Sequence, residues 1–70
     1  MKDRVLSEQI LRVVQTHPDH AYNYKQIAAV LGIKDPFIRK RIVTLLNQLA
    51  KSGVLIELSR GKFQKCWTHS

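Results

Sequence analysis

The chain has 70 residues, too few for a second domain beside one small hydrophobic core. Twelve Lys and Arg against five Asp and Glu give a net charge of +7 and a pI near 10.1, a field that draws polyanions. A 44% hydrophobic content argues against a wholly disordered chain, and its single cysteine, Cys66, closes no internal disulfide, so the expected compartment is the cytoplasm. The opening MKDRVLSEQILRVV has no continuous apolar core of the signal-peptide kind, and no apolar run approaches a membrane span.

From Asp3 to Thr16, Leu6, Ile10, Val13 and Val14 recur at helical spacing with Arg4, Glu8, Arg12 and Gln15 between them, predicting an amphipathic helix that stops before Pro18. A short extended piece follows around Ala21 and Tyr22. Asn23 then stands where an N-cap is wanted, with Gln26 three residues on to complete a capping box, and a second helix is expected over 23–31 with its cap. Gly32 supplies the left-handed residue that closes it. Asp35 and Pro36 repeat the start signal, and a third helix is expected over 35–52, its stripe Ile38, Ile42, Leu45, Leu46 and Leu49, with Gly53 ending it. Residues 54–67 read as a hairpin: a β-rich run from Val54 to Leu58, a turn at Ser59-Arg60-Gly61, and a return strand from Lys62 to Trp67. Helix, short strand, helix, turn, helix, hairpin is the order of a winged helix-turn-helix, an α+β and mainly α class, here one domain over 1–70.

Opposite the stripe of the third helix lie Lys40, Thr44, Asn47 and Lys51, with Arg39 and Arg41 on the flanks. Ammonium, hydroxyl and amide groups on one face suit phosphates and base edges together, and Arg60 and Lys62 at the hairpin tip add two more cations for a phosphate backbone. A merely solvated basic face is the plain alternative, as is an edge hairpin whose lysines deter aggregation. The corner Gln26 to Ile33, with small Ala28 and Gly32, favours the nucleic-acid alternative. Phe63 and Trp67 share a strand face and either stack on bases or pack inward, packing being favoured.

Cys66 and His69 have a ligand spacing, but His17 and His20 are remote in sequence, so no metal site is expected. Asp19, Asp35 and Glu57 fall in separate elements, and no catalytic residues are expected within these 70 residues.

The motifs YKQIAAVLGIKD, IRK and GVLIELSRGKF, within Asn23 to Gln64, resemble the N-terminal winged-helix domain of ribonuclease R. That resemblance implies an RNA-binding accessory domain of a processive 3′-to-5′ exoribonuclease, monomeric, fused to further domains and engaging structured RNA. Cold-shock, catalytic and S1 domains would follow it in the parent, and magnesium belongs to that catalytic domain alone, with no cofactor in this one. The ending KCWTHS departs from the usual continuation. Two rival expectations stand beside it: a DNA-binding transcription regulator inserting the same helix in a major groove, and a protein-interaction module docking a partner on Phe37 and Val43.

Overall fold

A computed structural model describes residues 2–65; Cys66, Trp67 and His69 lie outside the described residues. Three helices, α1 (Asp3–Thr16), α2 (Tyr24–Leu31) and α3 (Pro36–Lys51), precede two antiparallel strands, β1 (Leu55–Ser59) and β2 (Lys62–Lys65). The class is α+β and mainly helical. Among the described residues no helix is long and apolar enough to cross a membrane.

The ends of α2 and α3 are set by local chemistry. At the start of α2 the Gln26 N–H donates to Asn23 Oδ1 at 2.8 Å while the Asn23 N–H donates to Gln26 Oε1 at 3.0 Å, so the capping box is complete in both directions. Asn23 therefore caps α2 and is not its first residue. In the same way Asp35 Oδ1 accepts from the Phe37 N–H at 2.9 Å and leaves Pro36 as the first residue of α3, where its missing N–H costs nothing.

Both helices stop in the same manner. Gly32 adopts φ 71°, its N–H donating to the Ala29 carbonyl and that of Ile33 to the Ala28 carbonyl. Gly53 adopts φ 86°, and the Gly53 and Val54 N–H groups bond Ala50 and Leu49 in the same pattern. Each is a Schellman closure, which satisfies carbonyls that the helix would leave open and throws the next apolar residue, Ile33 or Val54, back along the helix. Ser52 keeps a right-handed conformation as the cap of α3, so the helix proper ends one residue before the predicted Ser52.

The core takes Leu6, Ile10, Val13 and Val14 from α1, Ile27 and Ala28 from α2, Ile42, Leu45 and Leu46 from α3, and Leu55 and Phe63 from the strands. Ala28 is wholly buried, which places a methyl group where a larger side chain would hold α2 away from its neighbours. Ile38 and Leu49, the two ends of the predicted α3 stripe, are only half-buried and pack against the core margin.

A two-stranded hairpin alone is marginally stable in water, and here a third backbone segment supports it. Tyr22 and Phe63 exchange N–H to carbonyl bonds of 2.7 and 2.8 Å, so the extended piece before α2 lies along the outer edge of β2. The Gln64 side-chain amide adds a bond to the Pro18 carbonyl at 3.0 Å. The register slips between Glu57 and Ser59, so β1 runs on through Ser59 and only Arg60 and Gly61 remain as the turn, shorter than the expected three residues.

A Cβ on Gly32 would meet nothing within 4 Å, so substitution there is limited by backbone strain alone. Gly32→Val should cost at least about 1–2 kcal/mol, the penalty of a left-handed residue, and lower the melting midpoint by roughly 5–15 °C. Gly32→Asn should recover most of that loss, since Asn tolerates this conformation. Equal midpoints for the valine variant and the parent chain in a thermal melt would show that the corner is not closed this way.

Candidate nucleic-acid interface

On α3 the exposed residues Lys40, Thr44, Asn47 and Lys51 are three or four apart and fall within about 60° of arc at ~100° per residue. They form one ladder, roughly 16 Å long at about 1.5 Å per residue, and it faces away from Ile42, Leu45 and Leu46. Two rungs are oriented by the helix itself. The Thr44 hydroxyl donates to the Lys40 carbonyl at 3.3 Å, and the Asn47 amide donates to the Val43 carbonyl at 3.0 Å. These back-bonds leave the Thr44 oxygen lone pairs, the Asn47 carbonyl oxygen and the second amide hydrogen turned to solvent. Lys51 also sits in the last turn of α3, where a cation complements the helix dipole.

The hairpin brings a further cation, Arg60, beside Asn47 of this ladder. Asn47 and Val43 of α3, with Tyr24 of α2, line a groove of about 240 Å3 whose other wall is Glu57, Arg60, Gly61 and Phe63. Arg60 and Lys62, both exposed, stand on either side of Gly61, whose φ of 83° makes the tight turn. Glu57 lies across from Phe63 and its carboxylate accepts from the Gly61 N–H at 3.0 Å, so the acid braces the turn.

Two residues of the predicted interface are engaged differently from the sequence expectation. Arg41 is turned to α1, where its Nε donates to Asp3 Oδ1 at 3.1 Å and its Nη2 donates to Asp3 Oδ2. That two-pronged pair holds the Arg41 pKa above its ordinary value, first through the hydrogen bonds and then through the neighbouring negative charge. Arg39 is half-buried on the opposite flank, its Nε enclosed without a hydrogen-bond partner, and with Tyr24, Pro36, Lys40 and Val43 it lines a second groove between α2 and the first turns of α3. Phe63, for which packing is favoured over stacking on bases, is 3% exposed and belongs to the core.

Phe37 was not in the predicted interface, yet it is 79% exposed and its wheel position adjoins Thr44. Extending the same helical wheel by one turn toward the N-terminus brings it onto the face.

Among the described residues no three His, Cys, Asp or Glu side chains gather as a metal site would require. Comparison with known proteins returns no match: no family model, no curated protein and no solved structure is significantly similar to this chain.

Among the described residues Glu57 is the one acid in the wall of the α3–hairpin groove. Glu57→Gln should preserve the bond from Gly61, because an amide oxygen accepts as well, while removing a charge that repels anions. The variant should melt within a few degrees of the parent chain and elute from a heparin column at higher salt. Elution at the same or lower salt would show that the groove does not face a bound polyanion.

Proposed function

We propose that the chain is a winged helix-turn-helix domain that binds nucleic acid, with α3 as its recognition helix and the β1–β2 hairpin as its wing. One observation carries this conclusion: Asn47, a rung of the exposed ladder it forms with Lys40, Thr44 and Lys51, lines the same groove as Arg60 of the hairpin, so hydrogen-bonding groups for bases and cations for phosphates adjoin. Helix, short paired segment, helix, tight corner, helix and hairpin is the element order that supports the winged-helix assignment.

RNA is the proposed partner, and an accessory role in a ribonuclease R-like 3′-to-5′ exoribonuclease the proposed setting. Support for both comes from the likeness of YKQIAAVLGIKD and GVLIELSRGKF to that family's N-terminal domain. In this setting the domain supplies affinity and orientation for structured RNA, and the chemistry belongs to the rest of the enzyme. The rival docking of a protein on Phe37 and Val43 would need one apolar patch in place of the basic face. The wheel instead sets Lys40 between these two residues.

Counterion release separates a phosphate-contacting surface from general charge. Replacing Lys40, Lys51 and Arg60 with alanine should lower the slope of log K against log salt by roughly 2 to 2.7, at about 0.7–0.9 per lost contact. Replacing Lys2, Arg4 and Arg12 removes the same charge and should change the slope little. Arg41→Ala should also leave it almost unchanged, since Asp3 already neutralises that guanidinium. Anisotropy titrations of a labelled stem-loop RNA at several salt concentrations measure all three, and equal slopes for the two triple variants would remove the proposed surface.

A further inference from the structure

Phe37 is the largest exposed apolar side chain among the described residues, and nothing in the core requires it. Its backbone is held in the first turn of α3 by the bond from its N–H to Asp35, so the ring projects from a fixed point. Lys40 follows about one turn later, roughly 4.5 Å along the axis, and with Pro36 these residues line a shallow hollow. Pro36 and Lys40 also line the adjoining groove of about 390 Å3, which continues to Arg39 and Tyr24. Two aromatic rings and two cations therefore border one continuous strip of surface. The Asp35 carboxylate stands at the helix tip beside Phe37 and repels phosphate, which assigns the phosphates to the Lys40 side and leaves the ring for an uncharged flat group.

We propose that Phe37 is a stacking platform for an unpaired nucleic-acid base, with Lys40 and Arg39 holding the phosphates next to it. The inference rests on the nucleic-acid function proposed above and narrows its ligand to a strand with at least one unstacked base. Within a duplex the base faces are covered by their neighbours, and the deep, narrow major groove of duplex RNA does not admit side chains on a helix. An exposed ring bordered by cations instead matches the way single strands are bound, by stacking on aromatic faces within a positively charged track.

The test uses the full chain with a short labelled single-stranded RNA and the blunt duplex made from it. Phe37→Ala and Phe37→Leu should each weaken single-strand binding by about 5- to 150-fold, the range expected for one stacked base, with the salt slope unchanged. Phe37→Tyr should bind nearly as the parent chain does, because it keeps the ring face. Duplex binding should move little for all three, and their melting midpoints should match, since the side chain is exposed. Single-strand affinity unaltered in Phe37→Ala while Lys40→Ala still weakens it would overturn stacking and leave the basic surface standing. Equal losses on single strand and duplex would overturn it in favour of a groove contact. A parent chain that binds neither RNA would remove the nucleic-acid function itself, leaving Phe37 to a protein partner.

Discussion

Two backbone hydrogen bonds between Tyr22 and Phe63 hold the hairpin to the helical body, and the geometry of the interface depends on them. Phe63 is drawn into the core by that pairing, Tyr22 is buried beside it with its ring edge-to-face against His20 at 4.5 Å, and β2 is thereby fixed between β1 and the segment before α2. A hairpin of strands this short would otherwise sample many orientations. Locked at Phe63 and at Leu55, whose side chain is also buried, it can place Arg60 only on the α3 side.

The division of α3 into two faces follows from the same core. Ile42, Leu45 and Leu46 are fully used in packing, and burial of each is worth about 1.5–3 kcal/mol, so the helix cannot rotate without large loss. Its outward arc is thus set by tertiary packing, while the identities on that arc, Lys40, Thr44, Asn47 and Lys51, are free of any demand from the core. The Asp3–Arg41 pair marks the boundary of the basic face. It reaches across 38 residues of sequence to join α1 and α3, and in doing so withdraws one cation from the face.

Most of what could be read from the sequence was local in origin. The capping box of Asn23 and Gln26, the Asp35 cap and the left-handed Gly32 each depend on residues within one turn, so their chemistry is visible in the order of letters. The extended piece at Tyr22 was legible as a break between helices, but its partner Phe63 was not, because pairing across 41 positions has no local signature. Arg41 illustrates the same limit. A helical wheel places it on a flank of the basic face, and only the packing of α1 against α3 reveals Asp3 within its reach. The missing residue of the turn, taken up by the slip between Glu57 and Ser59, is likewise a matter of strand register.

The interface combines fixed and compliant parts in a way that matters for what it can recognise. Thr44 and Asn47 are tethered to the backbone of α3, so their free acceptors and donors hold nearly constant directions, which is what discrimination among base edges demands. Lys40, Lys51 and Lys62 are long, exposed side chains that can follow a phosphate backbone of varied shape, which suits affinity without sequence preference. Glu57, in the hairpin wall of the groove that Asn47 also lines, repels phosphate from that groove. On the proposed function this arrangement directs the backbone to the helix ladder and hairpin tip, and leaves the groove for groups that can donate a hydrogen bond to a carboxylate or to the Asn47 oxygen.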